Sequence, residues 1–180
     1  MALVTLEEAK RQLDITGDSE DVELQTYIDA LPAVIEGFVG VIEQREVTDR
    51  VTGGGAALAV LHPPLLSVTS LTGAGAAYSV DALTVDGAAG IIGRADGSPF
   101  PAGAYTVTYT AGRPEVPPTI KLAALVLLQH LWRTQRATRG GLAGGGDDFS
   151  VTEPIPGFGY AVPHRVLQLL DSFRLPPGVA

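Results

Sequence analysis

Hydrophobic spacing along this chain changes twice, and each change marks a new kind of structure. From Thr5 to Ile42 the apolar positions keep helical intervals. Thr5-Leu-Glu-Glu8 has the form of a capping box, Thr5 accepting from the third helical amide and Glu8 reaching back, so a short helix is predicted to about Leu13. Ile15-Thr-Gly-Asp18 reads as a turn. Asp18 or Ser19 then caps a second helix with an acidic first turn, as the helix dipole favours, and Leu24, Ile28, Leu31, Ile35, Phe38 and Ile42 form its apolar stripe. Pro32 predicts a kink in that helix, and Gly37 or Gly40 a weak end.

From Arg45 to Ala111 the pattern becomes short β-branched runs separated by glycine and proline. The predicted strands are Arg45 to Thr52, Leu58 to His62, Leu66 to Thr72, Leu83 to Val85, Ala89 to Ile92 and Ala104 to Thr110. Turns are expected at Gly53-Gly-Gly55, Asp86-Gly87 and Asp96-Gly97. Together they predict a small antiparallel sheet placed between helical segments.

The second change comes at Ala111-Gly112-Arg113-Pro114, where glycine tolerates positive φ and proline cannot donate to a ladder. Pro117-Pro118 keeps the chain extended up to Thr119, the expected N-cap of an apolar helix from Ile120 through Trp132. That apolar run is shorter than the roughly 20 residues of a membrane span. It reads as a central core helix, or one that also packs against neighbouring subunits. Gly140 to Asp148 follows as a flexible loop, then a Pro- and Gly-rich stretch from Phe149 to Pro163, then a short helix from about His164 to Phe173.

The expected fold class is therefore α+β: a small helical bundle, made of the N-terminal helices and a central apolar helix, with an inserted antiparallel β region and an extended C-terminal arm. Its sections are 1–44, 45–111, 112–139 and 140–180, all one structural domain with an insertion. A length of 180 residues suits such a domain. The N-terminus has neither a basic stretch nor an apolar segment of signal-peptide type, so synthesis in the cytoplasm is expected and no membrane is implied. The absence of cysteine excludes disulfides and thiolate chemistry.

Charge narrows the partners. Residues 1–50 carry twelve Asp or Glu against four Lys or Arg, whereas residues 51–180 carry eight of each, so the net charge of -8 resides in the first fifty. A face this acidic repels phosphate and disfavours specific nucleic-acid binding. It is either a solvated helical surface or an acidic wall that lines a channel or meets a basic partner. The series Arg133, Arg136 and Arg139, three residues apart, occupies one flank of the apolar helix's continuation. Those arginines either favour the helix C-terminus or form an inter-subunit contact with acidic N-terminal helices, which a head-to-tail ring would bring together.

Catalytic chemistry finds little support. Gly73-Ala-Gly75-Ala-Ala-Tyr78 begins like a dinucleotide fingerprint but has Tyr78 in place of the third glycine and no βαβ context, so a hairpin turn is expected. No phosphate-binding loop or Gly-x-Ser-x-Gly elbow is present. His62, His130 and His164 fall on different elements without zinc spacing, and Asp147-Asp148 reads as a polar loop tip. No catalytic residue, metal ligand or cofactor is expected. A small hydrolase or sugar-binding module would need a convergent polar pocket that the sequence does not display.

The order of segments resembles the head-tail connector, or adaptor, proteins of tailed double-stranded DNA bacteriophages, also described as head-completion proteins. Three stretches carry the resemblance: Val4-Thr-Leu-Glu-Glu-Ala-Lys-Arg-Gln-Leu13 with the acidic second helix; Leu65-Leu-Ser-Val-Thr-Ser-Leu71; and Val107-Thr-Tyr-Thr-Ala-Gly112 followed by Val116-Pro117 and the helix from Ile120. It implies a structural virion protein, not an enzyme, made in the bacterial host cytoplasm and located at the head-tail junction. It implies a homo-oligomeric ring, usually of twelve copies, that docks beneath the portal protein after packaging and extends the DNA channel toward a downstream stopper or tail-completion protein. Double-stranded DNA would pass through the lumen without sequence-specific binding. Proteins of this kind are similar in gripping the portal with an extended terminal arm. Here that role would fall to Ser150 through Pro163, with Phe158, Tyr160 and Val162 as anchors. The alternative is another junction protein, a stopper or tail terminator.

Overall fold

The computed structural model describes residues 3–140, 151–154 and 161–175, with side chains for all of these except 136–140, 151–154 and 161. Backbone contacts divide the chain into a first unit, Met1–Phe38 with Val116–Arg174, and a second, Val39–Glu115 with Leu175–Ala180. The protein is mixed α and β, with the α-helices and a two-stranded hairpin in the first unit and the two larger antiparallel sheets in the second.

In the first unit, helix α1 spans Leu6–Leu13 and opens on the expected capping box. The Thr5 N–H donates to Glu8 Oε2 at 3.0 Å and the Glu8 N–H donates to Thr5 Oγ1 at 3.3 Å. Helix α2 spans Asp21–Val39 and continues through Pro32. Its start lies two residues beyond the expected caps. The physical reason is Lys10, whose ammonium takes the Asp18 and Asp21 carboxylates, each at 2.7 Å, and so uses Asp18 to tie α1 to α2. Gly40 ends α2 in the left-handed region at φ 74°, where a side chain would be strained.

Helix α3 spans Pro118–Gly140. Ile120 and Lys121 both donate to the Pro117 carbonyl, so Pro117 takes the cap position expected of Thr119 and the helix begins at Pro118 instead of Ile120. Proline is favoured at that first helical position because its missing N–H would have no partner there in any case. Ile120, Ala123, Ala124, Leu127 and Leu128 of α3 are wholly buried. Tyr27 of α2 meets Trp132 of α3 edge to face, with ring centroids 5.8 Å apart. Strands β8 (Val151–Pro154) and β9 (Ala161–Pro163) then pair as an antiparallel hairpin that the sequence pattern did not indicate, and helix α4 (His164–Leu170) packs on α3.

The second unit holds two sheets where one was expected. Strands β1 (Arg45–Gly53), β3 (Leu65–Gly73), β4 (Ala76–Tyr78) and β7 (Gly103–Ala111) form a four-stranded sheet in the order β1-β7-β3-β4. Strands β2 (Ala57–Ala59), β5 (Leu83–Asp86) and β6 (Ile91–Arg94) form a three-stranded one. Both contribute to one core, with Val51, Leu65, Leu71, Val107 and Tyr109 from the larger sheet and Leu58 and Ile92 from the smaller. The side-chain period of two places hydroxyls on the other face of the larger sheet. Thr48, Thr108 and Ser70 share one row and Arg50, Thr106 and Thr72 the next. Gly53 and Gly73 flank Tyr105, and a Cβ at either would run into its ring.

Candidate functional site

Inside the second unit, polar side chains converge on Asp49. Alternation along β1 places Val47, Asp49 and Val51 toward the core, so a carboxylate only 4% exposed sits between two valines. A charge there requires donors. The Leu61 N–H and the Tyr109 hydroxyl donate to Asp49 Oδ2 at 2.7 and 2.6 Å, and His62 Nδ1 lies 2.9 Å from Oδ1. The Tyr109 oxygen in turn accepts from the His62 N–H at 3.1 Å. Burial, reinforced by the Asp49 carboxylate, holds the Tyr109 phenol well above its usual range.

This network holds two successive backbone amides, those of Leu61 and His62, while the Leu61 side chain remains 61% exposed. It acts as a brace for the segment that follows β2. The reach of that segment toward Asp49 also explains why β2 ends at Ala59 instead of His62. Sequence reasoning missed the brace, although one signal was present: Asp49 shares the inward parity of Val47 and Val51.

Among the described residues of the first unit, two cavities bear on the search for a site. One, of about 320 Å³, runs between α1 and the start of α3 and is lined by Glu8, Arg11, Gln12, Pro118, Lys121, Leu122 and Leu125. Glu8 and Lys121 form an ion pair across it, and Lys121 and the Thr5 amide hold the Glu8 carboxyl below its ordinary range. The other, of about 340 Å³, lies along α4 and includes Phe38, His164, Gln168, Asp171 and Arg174. Neither is lined by the Asp49 network, and neither gathers a nucleophile with a base.

The sequence-predicted residues are dispersed. Arg133 is exposed on α3; Arg136 and Arg139 lie on the same helix, with side chains outside the described set. Val162 is buried at 1% exposure, so the anchoring role expected of it would require β9 to come away from its own chain. Phe158, Tyr160 and Asp147-Asp148 lie outside the described residues. The three histidines remain apart in sequence and element, and among the described residues no group of three or more His, Cys, Asp or Glu could hold a metal ion. Gly73-Ala-Gly75 is the β3–β4 turn, with Ala74 and Gly75 both at positive φ. Among the described residues, no helix is long and apolar enough to cross a membrane.

A family model for head completion proteins matches residues 2–175. The chain belongs to that family. Solved structures share the fold of this head completion protein over nearly its whole length. A chain in the neck of an empty GTA particle, computed with C6 symmetry, is 22% identical, with 97% of this chain and 90% of that one covered and a TM-score of 0.63. A chain in the virion of a native gene transfer agent (GTA) particle is 20% identical, with coverage of 99% and 94% and a TM-score of 0.64. A third, in the neck of a native GTA particle computed with C12 symmetry, is 21% identical, with coverage of 95% and 88% and a TM-score of 0.60. No curated protein sequence matches.

Proposed function

We propose that this head completion protein is a structural, non-enzymatic part of the head-tail junction. Twelve copies form a ring beneath the portal protein and extend the DNA channel toward a downstream stopper or tail-completion protein. The observation that carries this reading is the family match over residues 2–175, and the shared fold with a chain from a C12 neck supports a closed ring. In such a ring α3 serves as the central apolar helix of each subunit, and Arg133, Arg136 and Arg139 contribute to contacts between subunits. The C-terminal segment forms the arm toward the portal, with Phe158 and Tyr160 as anchors and the buried Val162 as its root. Double-stranded DNA passes through the lumen without sequence-specific contacts.

Negative-stain electron microscopy of the purified protein, alone and mixed with the portal ring, tests this. The expected result is a second ring seated on the narrow end of the portal with twelvefold symmetry. It should be lost when Phe158→Ser and Tyr160→Ser are combined. Portal rings without added density would move the protein to the tail side of the junction.

A further inference from the structure

The α1–α3 groove has a counterpart elsewhere in the same unit. Its apolar side is formed by Pro118, Leu122 and Leu125, and Leu122 is 47% exposed although Ala123 and Ala124, which follow it on the helix, are wholly buried. Arg11 and Lys121 stand on its rim. Val22, in the first turn of α2, is 85% exposed, the highest value among the exposed large hydrophobic residues described, and its sequence neighbours Glu20, Asp21 and Glu23 are acidic. An apolar side chain among acids thus matches an apolar groove whose charged lining is Arg11 and the Lys121–Glu8 ion pair, net positive by the Arg11 guanidinium.

Their placement decides what kind of contact they can make. On α1, Glu8, Arg11 and Gln12 line the groove, whereas Lys10 reaches the other way to Asp18 and Asp21 at the entry to α2. At about 100° per residue, Lys10 lies about 160° around the helix from both Glu8 and Gln12. The groove and the first turn of α2 therefore lie on opposite flanks of α1, and Val22 cannot occupy the groove of its own chain. Two different patches on opposite flanks define a heterologous contact, the type that closes a ring.

We propose that the first turn of α2 of one copy docks in the α1–α3 groove of the next, with Val22 against Leu122 and Leu125 and the acidic residues beside it facing Arg11. This rests on the ring reading above and identifies the surfaces that close the ring. Because both residues are exposed, substituting them leaves the unit's core intact.

The chain contains no cysteine, so the double variant Val22→Cys with Leu122→Cys tests the contact directly. A disulfide forms only where the two Cα atoms approach within about 7 Å. Rings of the full-length variant, formed alone or on the portal and then oxidised, are expected to give a ladder of covalent multimers on non-reducing gels. The single variants should give none beyond dimer. Val22→Asp in an otherwise unchanged chain should abolish ring formation while leaving the helical circular dichroism unchanged. Rings of the double variant that yield only monomers or dimers would overturn the docking, as would rings of normal yield from Val22→Asp. If the unsubstituted chain forms no ring under either condition, the ring reading itself fails, and the docking with it.

Discussion

Among the described residues Asp49 is the most deeply buried acid, and a carboxylate at 4% exposure is tolerated only when its acceptors are filled. Here they are filled by one amide, one phenol and one imidazole. Asp49→Ala removes all three at once and leaves the Leu61 N–H and the Tyr109 hydroxyl without that acceptor. A loss of about 3 kcal/mol is expected, read as a lower urea midpoint with an unchanged slope. Tyr109→Phe should cost less, because the carboxylate keeps its other two partners and only the His62 N–H loses its acceptor. An Asp49→Ala protein with an unshifted midpoint would mean that the segment after β2 is held by its other contacts. The parity that points Asp49 inward is legible in the sequence. Its partners are not, because the aspartate and Tyr109 are sixty residues apart and meet only through the β1–β7 pairing.

At the scale of elements, local chemistry was most readable where a rule acts within a few residues. The α1 capping box, the α2 end at Gly40, the β3–β4 hairpin turn and strands β1, β3, β5 and β7 all follow from such rules, with boundaries shifted by a residue or two. Where a distant group competes, the reading slipped. Lys10 draws Asp18 away from a cap, and Gly90, at φ 65°, takes the turn and delays β6 to Ile91. The β8–β9 hairpin was hidden by its prolines, which read as extended arm. Helix α3 also carries a titratable group into the interior. His130 is 8% exposed, and desolvation lowers its pKa from the ordinary 6.5. The unfolded chain therefore binds a proton at a pH where the folded chain still resists it. Stability from this source is full above about pH 6.5 and declines as the pH falls below it. Thermal unfolding followed by Trp132 fluorescence should show a melting temperature falling below that pH, and His130→Gln should flatten that part of the profile. An unchanged slope in the variant would assign the acid sensitivity to other groups.

For the whole molecule, charge is the most informative property. The first unit holds thirteen acidic and eight basic residues and the second seven and four, so both are net negative. The exposed face of the larger sheet is dominated by hydroxyls, with Arg50 as the cation in its central rows. Such surfaces release few counterions from DNA and gain little by touching it. Fluorescence anisotropy with a labelled DNA duplex at physiological salt should register no binding at micromolar protein. Micromolar affinity with a steep salt dependence would instead indicate a cationic track that assembly creates. The two surfaces proposed to join copies differ in how far the sequence displays them. The arginine series was readable as a flank, but the groove beside Leu122 is visible only once α1 is laid against α3.

Within the second unit, the start and end of the inserted segment meet at Arg113. Arg113 donates from Nη2 to the Val39 carbonyl at 2.8 Å, and its backbone N–H donates to the Ile42 carbonyl at 3.1 Å, so the two ends of the 77-residue segment Val39–Glu115 are tied together. The first unit is discontinuous in sequence, and its two parts must find each other across that segment. Closing a flexible loop of this length carries a length-dependent cost of about 4 kcal/mol, which is relieved once the segment has folded and its ends are held. During synthesis the β segment is complete before α3 emerges, so it has the first opportunity to fold. Arg113 is then a kinetic residue as much as a stabilising one. Arg113→Ala should slow the refolding phase reported by Trp132 more than it speeds unfolding, and a variant that changes only the unfolding rate would place the clamp after the rate-limiting step.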